Sequence, residues 1–130
     1  MAADIGIRKV VSFSYDEALT RVPEALKTEG FGILTEIDVK ETLKKKLDID
    51  FRRYKILGAC NPAFAHKALT TNLQAGLLMP CNVCVYEDDS GRTVVEAMDP
   101  VETMVASDPR MKDVADAVRE KLVRVLDRLS

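Results

Sequence analysis

The stretch NVCVYEDDSGRTVVEA, Asn82 to Ala97, decides the fold. It holds two strand-like runs, Asn82 to Glu87 and Thr93 to Ala97, rich in valine, threonine and tyrosine. Between them stand Asp88, Asp89, Ser90 and Gly91. Short polar side chains and a glycine suit the backbone angles that reverse a chain, so the segment reads as a hairpin. Strands joined by so short a loop must run antiparallel. The hairpin therefore interrupts the alternation of strand and helix that precedes it, and selects an α+β domain with a mainly antiparallel or mixed sheet over a wound parallel one.

Upstream, Ile7 to Phe13 reads as a strand and Ser14 with Glu17 as a capping box that opens a helix. Ala18, Leu19, Val22 and Leu26 give that helix one apolar face, Pro23 falls inside it, and Gly30 ends it. Phe31, Ile33, Thr35 and Ile37 alternate as a second strand. Asp38 and Glu41 repeat the capping pattern before a short helix expected to turn Val39, Leu43 and Leu47 inward and its lysines outward. Phe51 to Cys60 is a third strand. Asn61 caps the next helix, with Pro62 at its first position. Gly76 to Met79 is a short apolar run closed by Pro80. Downstream of the hairpin, Asp99-Pro100 and Asp108-Pro109 each start a helix. In the last helix, Met111, Val114, Ala115, Val118, Leu122, Val125, Leu126 and Leu129 hold the 3–4 spacing of a buried face.

The chain has 130 residues, 47% of them hydrophobic and 31% charged, a balance and length that fit one globular domain spanning residues 1–130. With no tryptophan and seven aromatic residues (four Phe, three Tyr), the core must be mostly aliphatic. A net charge of −2 argues against general nucleic-acid binding, and no apolar run approaches the length of a membrane span or a signal peptide. The expectation is a cytoplasmic protein, away from membranes and nucleic acid, whose three cysteines are reduced. Charge is unevenly placed. Lys40 to Lys55 holds seven basic and three acidic residues, and Glu87 to Asp108 holds seven acidic residues and one basic.

The chemistry-bearing residues gather around ILGACNPAFAHKAL, Ile56 to Leu69, and the segment that starts at Pro80. Cys60 ends a strand one position before the Asn61 cap, where the partial positive charge of a helix N-terminus favours a thiolate or an anion. Cys81 begins another strand beside Pro80, so the two thiols are expected at neighbouring strand ends, with Asn61 oriented by the helix start and His66 one turn in. Cys60, Asn61, Cys81 and His66 are the ligand-binding candidates. Cys81 and Cys84 form a C-x-x-C, but residues three apart on a strand point to opposite faces, which separates the sulfurs. Cys60, His66, Cys81 and Cys84 would give the Cys₃His set of structural zinc, against the same strand geometry. The run Lys44-Lys45-Lys46 with Arg52 and Arg53 lacks interleaved aromatics for stacking on bases and reads as a solvated face. No Ser-His-Asp arrangement, P-loop or dinucleotide glycine pattern occurs.

Three segments, GFGILTEIDVKETLKKKL (Gly30 to Leu47), YKILGACNPAFAHKAL (Tyr54 to Leu69) and GLLMPCNVCVYEDDSGRTVV (Gly76 to Val95), resemble the bacterial and archaeal family called domain of unknown function 302. The resemblance spans almost the whole chain in order. It implies a fold like one half of the TATA-binding protein, strand, helix, four strands, helix, with helices inserted, and it implies a homodimer. The family's recurring positions fall on Cys60, Asn61, Pro62, Ala65, Leu69, Pro80 and Cys81; His66 and Cys84 fit its pattern less firmly. A shared fold does not carry a function. The reading is a dimeric small-ligand-binding module of unknown cofactor. The alternatives are a thiol-dependent redox, metal-handling or enzymatic protein using Cys60 and Cys81, and a structural interaction protein.

Overall fold

The computed structural model describes residues 4–129. Five strands form one sheet: β1 (Gly6–Val11), β2 (Gly32–Asp38), β3 (Tyr54–Cys60), β4 (Cys81–Glu87) and β5 (Thr93–Met98), in the spatial order β1-β5-β4-β3-β2. Every neighbouring pair is antiparallel. Four reversals separate the two edges, so β1 and β2 point the same way. Helix α1 (Tyr15–Thr28) joins them by crossing the whole sheet. Helix α2 (Val39–Leu47) follows β2, α3 (Pro62–Thr71) lies between β3 and β4, and α4 (Lys112–Asp127) ends the fold. Apart from α2 and α3, the chain runs strand, helix, four strands, helix.

The register shows which face is the core. Val83 pairs with Ala97 and Leu57, and Val85 with Val95, so these side chains share one face. Onto it pack Ala18, Val22 and Leu26 of α1 and Val118, Leu122 and Val125 of α4, all buried. Both helices present the face their spacing predicts. Lys9 reaches from β1 to donate to the Leu126 carbonyl at 3.0 Å, satisfying a free acceptor at the C-terminal end of α4. The opposite sheet face carries Tyr54, Cys84, Tyr86 and Glu96, all partly exposed.

The hairpin forms as read. Asp88 Oδ1 accepts from the Ser90 and Arg92 amides, and Gly91 takes φ +79°, which its missing Cβ permits. The two capping boxes are half formed. Ser14 accepts from the Glu17 amide at 3.1 Å and Asp38 from the Glu41 amide at 3.0 Å. The carboxylates of Glu17 and Glu41 instead pair with Arg21 and Lys45 one turn on.

Four expectations need correction. Helix α2 buries nothing: Val39 and Leu43 are half-covered and Leu47 is 63% exposed, because α2, though it touches β2 and β3, contributes no side chain to the core cluster. The third strand starts at Tyr54, not Phe51, since β2 ends opposite Lys55 and leaves the earlier residues no β2 partner. The apolar run at Gly76 belongs to a 3-10 turn, Leu73–Leu78, in which only Ala75 is buried. The helix expected at Pro100 opens as a five-residue π-helical turn, Val101–Val105, with Asp99 accepting from the Val101 amide at 2.9 Å.

Candidate functional site

Strands β3 and β4 are hydrogen-bonded neighbours, and Ala59 sits opposite Cys81. The last residue of β3, Cys60, and the first of β4, Cys81, therefore meet at one end of the sheet. Both line a cavity of about 30 Å³ whose other walls are apolar: Phe31 and Phe64 at the sheet end, Met79 and Met104 from the turns, and Val114 and Val118 from α4. Burial, and secondarily the nearby Cys60, push the Cys81 thiol up to about 11, so it is protonated at neutral pH. All three cysteines are free thiols.

Asn61 lines the same cavity but does not cap α3 with its side chain. Its carboxamide donates to the Glu29 carbonyl at 3.2 Å, tying the start of α3 to the end of α1. Two features make room for that bond. Gly30 adopts φ +86°, and a Cβ there would lie 3.1 Å from Asn61 Nδ2. Glu29, an acid at the unfavourable C-terminal end of a helix, is held by cations from α4: Arg124 at 3.0 Å, Arg128 at 3.6 Å and Lys121 at 3.8 Å. The Arg124 hydrogen bond is the largest influence holding the Glu29 carboxyl below the usual range. This clamp fixes α1, α3 and α4 around the thiols.

His66 and Cys84 do not join the site. His66 is exposed on α3 and does not line the cavity; its carbonyl accepts from the Thr70 hydroxyl at 2.7 Å. Cys84, three residues beyond Cys81, faces the other side of the sheet, where burial pushes its thiol up. The set Cys60, His66, Cys81 and Cys84 is therefore not assembled. Among the described residues no three His, Cys, Asp or Glu side chains converge as a metal site.

On the open face, the sequence reading missed a polar cluster. Tyr54 and Tyr86 stack with ring centroids 5.0 Å apart, and Tyr86 donates to Glu96 at 2.9 Å. The signal was present in Glu96, the lone carboxylate within the strand TVVEAM. A broad groove of about 380 Å³ adjoins Tyr54, Cys84 and Glu96, and the Glu96 carboxylate already accepts from Tyr86.

The fold and site define an α+β protein with a thiol-bearing apolar cavity at one end of an antiparallel sheet. Residues 7–129 match the family described as Domain of unknown function DUF302, and the chain belongs to that family. It is similar to a solved protein from Bacillus stearothermophilus, described as an uncharacterized conserved protein DUF302. The two share 34% identity and superpose with a TM-score of 0.90 over 98% of this chain and 100% of the other. No curated protein matches the sequence.

Proposed function

We propose that the protein is a cytoplasmic, homodimeric binding module that holds a small ligand between Cys60 and Cys81, with Asn61 as a fixed wall. The observation that carries this reading is the character of the cavity: two thiols in apolar surroundings, with no acid or base beside them. Thiol catalysis needs a thiolate at working pH and a partner that moves protons. Cys81 is protonated, and the protein's only histidine is exposed elsewhere. Binding therefore fits the geometry better than catalysis. The cavity is only about 30 Å³, so the ligand is very small or enters as the flexible Met79 and Met104 side chains shift.

The dimer rests on the edge of the sheet. Edge strand β2 and the segment after it expose Leu34 (67%), Ile37 (48%), Leu47 (63%), Ile49 (44%) and Phe51 (39%). An apolar group of this kind beside an unpaired edge is a surface for a second copy. The opposed charged segments contribute less than their composition suggests, because they pair within the chain: Arg52 binds Asp89 at 2.6 Å and Lys45 binds Glu41 at 2.9 Å. The same pairing leaves little free cation for nucleic acid. No helix among the described residues is long and apolar enough to cross a membrane.

Native mass spectrometry of the protein purified under reducing conditions tests both parts. The expected species is twice 14.4 kDa with an added mass that the Cys60→Ser/Cys81→Ser double variant lacks. A monomer overturns the dimer, and an identical bare mass in protein and variant overturns the ligand.

A further inference from the structure

Taking the cavity as a binding site, the geometry points to its ligand class: Cys60 and Cys81 bind a soft, thiophilic monovalent metal ion, Cu(I), with Met79 and Met104 as thioether neighbours. Size argues first. Sites for organic ligands enclose roughly 300–1,000 Å³, whereas this cavity, with Met79 and Met104 where they stand, offers about 30 Å³, which suits an ion better than an organic molecule of ordinary size. Ligand chemistry argues second. Thiolate and thioether sulfur select soft ions, whereas magnesium, calcium and manganese need oxygen donors. The cavity lining supplies two thiols and two thioethers and contains no carboxylate or imidazole. The one amide, Asn61, is committed to the Glu29 carbonyl. Structural zinc would require four ligands, and the candidate histidine lies outside the cavity.

Cu(I) displaces the protons of both thiols, which pass to solvent, and forms two Cu–S bonds; the copper is neither oxidised nor reduced. The resulting bis-thiolate complex carries one negative charge. Helix α3 begins two residues after Cys60, its first turn has no acidic residue, and Asn61 leaves its first N–H groups without a side-chain cap. The positive end of that helix therefore begins beside the residue that would carry the new anion. Because metal and protons compete, affinity rises with pH.

The test is anaerobic transfer of Cu(I) from its bicinchoninate complex to the reduced protein, followed by loss of the complex's colour. One Cu(I) per chain should transfer. Cys60→Ser and Cys81→Ser should each weaken binding more than about 100-fold, beyond the 10–100-fold typical of losing a supporting outer partner. Cys84→Ser should leave it unchanged. Should a serine variant fail to fold, X-ray absorption at the copper edge of the unmodified protein decides instead: a first shell of sulfur alone supports the inference, and nitrogen or oxygen in that shell overturns it. Retention of Cu(I) by bicinchoninate, or equal loss in Cys84→Ser, also overturns it. If copper fails to bind but native mass spectrometry shows a thiol-dependent organic adduct, only the metal inference falls; a bare native mass removes the binding reading as well.

Discussion

Gly58→Ala should destabilise the protein, although glycine-to-alanine changes in a strand usually help. Gly58 is buried in β3, and its backbone needs no special angle. An alanine there gains about 0.4–1 kcal/mol by restricting the unfolded chain. The added methyl, however, would overlap Thr35 Oγ1 on the neighbouring strand and sit 2.7 Å from Pro80 Cγ. Neither obstacle is the free end of a long side chain: one is a β-branched residue in a sheet, the other a ring. Overpacking of this kind costs about 1–3 kcal/mol, so the expected net loss is about 0.5–2 kcal/mol. Urea unfolding should show a lower midpoint with an unchanged slope. Adding Thr35→Ala should recover part of the loss and leave the Pro80 part, a coupling that the double-mutant cycle isolates. A Gly58→Ala protein as stable as the parent, or more so, would refute the close approach of β2, β3 and Pro80. Because Pro80 precedes Cys81, the same contact sets where that thiol enters the cavity.

Leu122→Ala should cost about 2–5 kcal/mol, read from denaturant unfolding; the three carbons removed account for about 2.4 kcal/mol by transfer alone, and the cavity left behind for the rest. Leu122 is 1% exposed, so a loss below about 1 kcal/mol would place this face of α4 in solvent. Glu29 predicts a pH dependence. Its folded pKa is depressed, chiefly by the Arg124 hydrogen bond, so its contribution is complete above the ordinary carboxyl pKa of 4.5 and is lost as pH falls through the lower folded value. Thermal melts of Glu29→Gln should therefore lie below those of the parent at pH 7 and approach them on acidification below 4.5; a gap that stays constant with pH would show that the carboxylate's charge is not what clamps α4.

The parts of the fold legible in the sequence were those set by local rules. The hairpin was readable because Asp88 and Gly91 have few other uses in that spacing, and both perform the expected bonds and angles. Helix α4 was readable because a 3–4 apolar repeat has one way to be buried, and Leu122 and Val125 are buried. Helix α2 shows where periodicity fails. Val39, Leu43 and Leu47 have the spacing of a buried face, yet spacing only states that three side chains share a face. Whether a core lies opposite depends on the sheet order, and β2 proved to be an edge.

The site was legible to the same depth. Period-two alternation correctly sends Cys81 and Cys84 to opposite faces, and the Pro-marked strand ends bring Cys60 and Cys81 to one cavity. What no local pattern contained was the use of Asn61. An asparagine before a proline at a helix start satisfies every rule for a cap, but a carboxamide bonds wherever an acceptor is nearest. Here that acceptor is the Glu29 carbonyl, 32 residues earlier in the chain, reached only because Gly30 turns the backbone aside and three α4 cations hold Glu29 in place. The consequence is chemical as well as structural. With its side chain committed to α1, Asn61 leaves the first turn of α3 without that cap and still holding its partial positive charge, next to the thiol that would have to become an anion. A residue read as closing the helix start instead leaves it uncapped, and that combination of a fixed wall, an uncapped helix end and paired sulfur is what the proposed binding site rests on.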